Sequence, residues 1–459
     1  MFFFKVKRIH FVGIGGAGMS GIAEVLHNLG FTVTGSDLLK QATTRYLESL
    51  GIPISYQHLP ENVRDADVVV VSSAIPPNNP EILMAKELKI PVIPRAEMLA
   101  ELMRMKFSIA VSGAHGKTTT TSMIAKVLED GNLDPTVVVG GRIRGLGTGA
   151  KLGQGTFIVA EADESDRSFL TLNPTISVIT NIDEEHLEAY SGSLEALKEA
   201  FVSFANRVPF YGCIVVNLDD PGIQEILPKF RKRVITYGFS REAQIHVRNG
   251  KLFFNGSKSK VYKGDEELGT LIMHLPGKHN VKNALAAIAI AIELEIPIER
   301  ALNSLKNFKG VERRFEIKGE KDGIIFLDDY AHHPTEIEAV LETAREMWKG
   351  RIVVLFQPHR YTRTKRLHRK FGKSFKKADA VVITKLYPAG ESPIEGVNSE
   401  LIYRAVKEEG YEDVYLIENR DEVISFLSKF LKSEDLFITL GAGDVWKLGE
   451  ILLNIGKEK

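Results

Sequence analysis

The sequence predicts an α/β protein of three domains: a Rossmann-like amino-terminal unit, a central mostly parallel sheet with a phosphate loop of the P-loop ATPase type, and a Rossmann-like carboxy-terminal unit. Three observations carry this. The chain has 459 residues, room for roughly three domains at ~150 residues each. Glycine-rich turns follow apolar strands and open helical patterns, the alternation of a parallel sheet covered on both faces. The strand Phe107–Val111 shows no alternation of apolar and polar side chains, as expected of a strand buried on both faces.

The elements follow in order. The first unit, residues 1–105, opens with a strand at Arg8–Ile14, a helix ending near Gly30 and a second strand at Phe31–Gly35. Short apolar runs follow at Val68–Val71 and Pro91–Ile93. The second, 106–311, holds Phe107–Val111, a helix from Thr118 to about Glu129, and strands at Phe157–Ala160, Ile176–Thr180, Ile214–Asn217 and Val234–Tyr237. Ile245–Phe254 alternates around Asn249–Gly250, a pair suited to a hairpin turn. Ala284–Ile292 is apolar on every side and predicts a buried helix. The third unit, 312–459, has strands at Gly323–Leu327, Ile352–Phe356, Ala380–Thr384, Val414–Ile417 and Leu436–Leu440, with helices such as Thr335–Trp348 and Glu400–Glu409 between them.

Composition narrows the function. Lysine plus arginine and aspartate plus glutamate are both 59, a balance that argues against a nucleic-acid-binding surface as the main function. Cys213 is the only cysteine, which excludes an internal disulfide and a cysteine-based zinc site. The opening MFFFKVKRIHFVGIGG lacks the apolar length of a signal peptide. The longest apolar stretch falls far short of the ~18 residues of a membrane span. The expectation is a cytoplasmic protein, a monomer or weak homodimer, with small-molecule substrates and neither nucleic acid nor membrane as partner.

Residues Ser112–Ser122, SGAHGKTTTTS, join the buried strand to a helix. Gly113 and Gly116 let backbone amides turn inward as an anion cradle. Lys117 adds a point charge for terminal phosphates, and Thr118 offers magnesium a hydroxyl where the helix dipole also favours anions. Val111 stands where the longer nucleotide loop has glycine, so this is the shorter G-x-x-G-K-T form. Carboxylates to hold the metal are expected at neighbouring strand ends. EADESD supplies Glu161 and Asp163, and NIDEEHLE supplies Asp183, Glu184 and His186. Magnesium prefers such oxygen ligands. Glu164 and Glu185 read as a solvated acidic edge.

VGIGGAGMSG fits G-x-G-x-x-G at Gly13, Gly15 and Gly18, and Asp37 follows the second strand. Such a loop cradles a pyrophosphate beside a ribose. It fits a UDP-sugar as well as NAD, and a dinucleotide-dependent oxidoreductase stands as the remote alternative. In the third unit, FLDDYAHHPTE ends a strand with Asp328, Asp329, Tyr330, His332 and His333. FQPHRYTRTKR ends another with His359, Arg360 and Arg363. Arginines placed there can clamp a carboxylate bidentately. Lys370, Lys373, Lys376 and Lys377 read as a solvated basic helix face.

HFVGIGGAGMSGIAE, SGAHGKTTTT, EADESD, TNIDEEHLE, PGKHNVKNALAA, GVERRFE, DDYAHHPTE and FQPHRYTRT, in this order from Ile9 to about Trp446, closely resemble the Mur ligases. The resemblance implies a UDP-binding first domain, an ATPase middle domain and a third domain that closes over the site. It implies that ATP and Mg2+ activate the lactyl carboxylate of UDP-N-acetylmuramate as an acyl phosphate, which the amine of L-alanine attacks. Carried onto this chain, Gly113, Ala114, His115, Gly116, Lys117, Thr118 and Thr119 would hold the ATP phosphates, with Asn280 and Asn283 at the adenine. Arg314 would reach the phosphates and Asp329 the ribose. Thr118, Glu161 and His186 would serve the metal, with Lys117, Glu161, His186 and His332 as the catalytic set. The UDP-sugar falls to Gly15, Gly16, Ala17, Gly18, Met19, Ser20, Asp37 and Ser73, and the amino acid and muramoyl end to His332, Arg360 and Arg363. Several siblings carry a lysine, carbamylated in the active enzyme, fifteen residues after the histidine that matches His186; this chain has Phe201 there. That departure favours the alanine-adding branch. A ligase that reattaches a recycled murein tripeptide to the same UDP-sugar is the nearer alternative.

Overall fold

The computed structural model describes residues 5–72, 74–140, 149–185, 187–253 and 256–455. By its internal contacts the chain divides into two compact units: one of Met1–Gly250, Ser259–Ile272 and Val281–Lys309, the other of Lys251–Lys258, Met273–Asn280 and Gly310–Lys459.

The first unit carries the amino-terminal sheet and the parallel part of the central one. In the amino-terminal sheet the order is Ile54–Ser55, Thr32–Ser36, Arg8–Val12, Val68–Val71, Val92–Pro94, every pair parallel. Strand order reverses at Arg8–Val12, so the turn that follows it opens into the crevice where α/β sheets bind ligands. The parallel run of the central sheet is Ile245–Phe253, Val234–Gly238, Cys213–Asn217, Ile176–Ile179, Phe107–Ser112, Phe157–Glu161, Thr136–Val138. Phe107–Ser112 lies between Ile176–Ile179 and Phe157–Glu161. The loop it feeds therefore has a strand end on either side.

The helix Lys278–Glu293 is apolar around its circumference from Ala284 to Ala291, and those residues are fully buried. Phe201, on the helix Leu194–Ala205, is also fully buried, edge-on to Phe169 at 5.3 Å between ring centroids. The expected hairpin at Asn249–Gly250 does not form. Ile245–Phe253 is one continuous strand. Asn249 does take φ +56°, but Gly250 is not among the positive-φ glycines. A type I′ turn needs both, so the single left-handed residue does not reverse the chain.

The second unit holds a six-stranded sheet in the order Glu316–Lys321, Ile324–Asp329, Leu436–Leu440, Ile352–Phe356, Ala380–Ile383, Val414–Leu416. All neighbours are parallel except the first pair. That antiparallel edge strand was not expected from its sequence. EIKGEK has weak alternation, and its register slips between Ile317 and Gly319. Among the described residues, no helix is long and apolar enough to cross a membrane.

Candidate active site

The glycine turn after Phe107–Ser112 has the backbone its sequence requires. Gly113 sits at φ +134° and Gly116 at φ +80°, conformations that cost a side-chain-bearing residue free energy. Space is closed as well: a β-carbon on Gly113 would stand 2.1 Å from Thr180 Oγ1, and one on Gly116 2.9 Å from Asn283 Oδ1. Asn283 thus lies against the loop itself. Asn280, three residues earlier on the same helix, donates its amide to the Pro276 carbonyl at 2.7 Å. Two residues that sequence reasoning missed fix the loop from the Ile176–Ile179 side. Asn181 accepts the His115 amide at 2.8 Å and donates to the His115 carbonyl at 2.9 Å, and Thr180 donates to that carbonyl at 2.7 Å.

Lys117 opens the helix Lys117–Asp130, and its ammonium donates three hydrogen bonds: to the Gly113 carbonyl at 2.6 Å, the Ala114 carbonyl at 3.2 Å and Glu164 Oε1 at 2.8 Å. Burial alone would lower its pKa, but the charges of Glu164 and Asp163 reverse that and hold it above its ordinary value. Glu164 therefore corrects the sequence reading. It is no solvated edge: it is 2% exposed, and its carbonyl accepts the Tyr190 hydroxyl at 2.6 Å. Glu185 is likewise buried, 3.7 Å from His115 Nδ1. Spacing could not show this, because residues in a loop after a strand carry no periodicity that reports burial.

Glu161 ends Phe157–Glu161 beside the loop, its carboxyl raised in pKa by burial and hydrogen-bonded to Thr118. Among the described residues its Oε1 is buried without a hydrogen-bond partner. A hydroxyl and carboxylates of this kind form the hard-oxygen set magnesium prefers, so the residues present fit that ion. Asp163, lowered in pKa mainly by Lys117 against the effect of burial, stands next to them. Asp183 accepts or shares a proton with His115 Nε2 at 2.8 Å. Thr119 is buried just behind the loop. His186 lies outside the described residues.

At the other glycine turn, Gly16 N-caps the helix Ala17–Asn28, and Gly13 and Ile14 donate their amides to the Ser36 carbonyl. Asp37 Oδ2 accepts the Gly15 amide at 2.9 Å. Met19 is buried in the core and Ser20 partly exposed, so Met19 can offer only its backbone to a ligand. Ser73 lies outside the described residues. Arg95, which sequence reasoning missed, packs against Gly18: a β-carbon there would stand 3.0 Å from its Cδ and Nη1.

The second unit gathers its predicted residues at the carboxyl ends of its strands. Asp329 is buried, with Oδ2 accepting the Phe315 amide and Oδ1 the Ala331 amide, both at 2.7 Å. Burial pushes its carboxyl up to about 6. Arg313 is bound to Asp328 at 2.9 Å and to the carbonyls of Gly441 and Gly443, while Arg314 lies over the Tyr330 ring and 3.6 Å from Glu336. Arg360 N-caps the helix Tyr361–Ser374 at φ +73°, and Arg363 reaches His359 Nδ1 at 3.3 Å. His359 stacks on Tyr387 and neighbours His332 at 5.7 Å between centroids. Burial pushes both imidazoles down to about 3. They stay neutral near pH 7, which suits them to accept hydrogen bonds and makes His332 a weak base. Lys370, Lys373, Lys376 and Lys377 are exposed, as expected.

Comparison with known proteins places these features in one family. Residues 8–107 match the Mur ligase family catalytic domain, 111–291 the Mur ligase middle domain and 313–443 the Mur ligase glutamate ligase domain. The chain is 54% identical to a UDP-N-acetylmuramate–L-alanine ligase of Geobacter sp. (strain M21), over 98% of this chain and 97% of the relative. It is 52% identical to that of Trichlorobacter lovleyi, over 98% and 99%. Among solved structures, UDP-N-acetylmuramate-alanine ligase from Thermotoga maritima is similar with a TM-score of 0.83 and 32% identity, over 98% of this chain and 99% of the other. A murein peptide ligase from Psychrobacter arcticus shares the fold, at 0.72 and 24%.

Proposed function

This chain belongs to the Mur ligase family, and from that premise we propose that it joins L-alanine to the lactyl carboxylate of UDP-N-acetylmuramate, with ATP giving ADP and phosphate. The observation that carries the reading is the lysine-bearing loop between two acidic strand ends, in a chain more than half identical, end to end, to ligases of that name.

Joining a carboxylate to an amine in water needs the carboxylate oxygen made a leaving group. The γ-phosphoryl passes to the lactyl carboxylate, and the alanine nitrogen then attacks the acyl carbon and expels phosphate. Lys117 and the amides of residues 113–118 supply the positive field for the triphosphate, as Lys117's pairing with a buried carboxylate supports. Thr118 and Glu161 would hold magnesium, which when bound neutralises phosphate charge as a Lewis acid. Asn181 and Thr180 keep the loop in register for this contact. Gly15, Gly16, Gly18 and the helix start at Ala17 receive the UDP-sugar's diphosphate, with Asp37 toward the ribose. Arg360 and Arg363 recognise carboxylate, and the neutral imidazole of His332 accepts from the alanine nitrogen.

Phosphate release, measured with each component omitted in turn, tests the proposal. The expected result is phosphate and a new amide only when ATP, Mg2+, UDP-N-acetylmuramate and L-alanine are all present. Phosphate release with a murein tripeptide but not with alanine would overturn it.

A further inference from the structure

Arg95 occupies a position that its own helix does not favour. It is the first residue of the helix Arg95–Arg104, directly after the strand Val92–Pro94. The positive end of a helix repels a cation in the first turn and favours an acid. The side chain is nevertheless four-fifths covered, at 20% exposed. Its guanidinium carries five N–H donors, and among the described residues it makes no hydrogen bond; its one ionic neighbour is Asp163, 3.8 Å from Nη2. Covering a cation while leaving its donors unused costs free energy unless a ligand completes the contact.

The place of the guanidinium identifies that ligand. It lies over Gly18, the second residue of the helix Ala17–Asn28, whose start follows the carboxyl end of the strand Arg8–Val12. Its far side looks toward Asp163, in the acidic strand end beside Lys117. We infer that Arg95 binds the diphosphate of the UDP-sugar across Gly18, completing with the first turn of the helix Ala17–Asn28 a clamp for that anion. The inference rests on the reading of this turn as the UDP-sugar site. A planar guanidinium can engage two phosphate oxygens at once, which an ammonium cannot. Gly18 fits the same picture, since a side chain there would fill the space between loop and guanidinium.

The test is binding, by calorimetry, of UDP, UDP-N-acetylglucosamine and UDP-N-acetylmuramate to the full chain and to Arg95→Ala and Arg95→Lys. Loss of a charge-assisted contact should weaken all three ligands about ten- to a hundredfold in the alanine variant. Arg95→Lys should recover only part of that. ADP affinity, read in the same samples, should not move, and it reports that the fold is intact. If Arg95→Ala does not fold, Arg95→Lys carries the comparison: an affinity for UDP equal to that of the unaltered chain overturns the inference. A loss confined to UDP-N-acetylmuramate overturns it too, by putting Arg95 on the lactyl carboxylate. Failure of the unaltered chain to bind UDP at all would defeat the reading of the glycine turn, a result distinct from an unchanged Arg95 variant.

Discussion

Replacing Glu164 by glutamine removes one negative charge from beneath the phosphate loop while keeping the shape of the side chain. In the structure Glu164 supplies one of three acceptors for the Lys117 ammonium, at 2.8 Å, and the other two are backbone carbonyls that the substitution leaves in place. Removing one partner of a fully buried ion pair costs about 3–5 kcal/mol. Here the amide oxygen of glutamine can still accept, so what is lost is the charge-assisted part of one hydrogen bond, about 2 kcal/mol. In a domain of some 200 residues that lowers the melting temperature by roughly 4–8 °C. Phosphate oxygens of ADP would then replace the missing charge, so ADP should raise the melting temperature of Glu164→Gln more than that of the unaltered protein. Differential scanning calorimetry with and without Mg2+·ADP reads both quantities. A variant that melts within a degree of the parent, with the same ligand-induced shift, would refute the argument that Glu164 balances Lys117.

Four further outcomes are expected. Lys117→Ala should fold, with kcat in the phosphate-release assay reduced about a hundredfold or more. Gly113→Ala should lose ADP binding and stability together, since its β-carbon would meet Thr180 Oγ1 at 2.1 Å in a backbone at φ +134°; calorimetry and thermal melting check this. Because burial raises the Asp329 carboxyl from 3.8 to about 6, the folded chain holds that proton more tightly than the unfolded chain. This term therefore favours folding at pH 4 and is lost as pH rises through 6, a change of about 3 kcal/mol; urea unfolding at pH 4.5 and 7.0 should show the difference shrink in Asp329→Asn. Phe201→Ala should cost about 3–5 kcal/mol by opening a cavity against Phe169 and Phe204, measured by denaturant unfolding of the full chain.

The parts of the site legible in the sequence are those that chemistry ties to a fixed offset from a strand end. The glycines at 113 and 116, Lys117, and Glu161 on the adjacent strand came out where the pattern put them. Glu164 and Glu185 did not, because only the folded chain reveals that Tyr190 and His115 cover them. Arg95 is seventy-seven positions from Gly18 in sequence, and contact across that separation is set by the sheet order. A signal did exist: a cation in the first turn of a helix runs against the dipole and asks for an anionic partner. At Asn249–Gly250 the dipeptide pointed to a turn, but pairing along Ile245–Phe253 overrode the local preference. In the second unit, Asp328 and Asp329 are neighbours that sequence cannot separate. Asp328 takes Arg313 and Thr439, while Asp329 takes two backbone amides.

Phe201 has a consequence for the conditions under which this ligase works. A lysine carbamate forms reversibly from dissolved carbon dioxide, so an enzyme that needs one follows the supply of bicarbonate in its surroundings. With a sealed aromatic ring in that place, turnover here should be the same in degassed buffer as in buffer equilibrated with carbon dioxide. The first amino acid of the stem peptide would then be added at a rate indifferent to that gas.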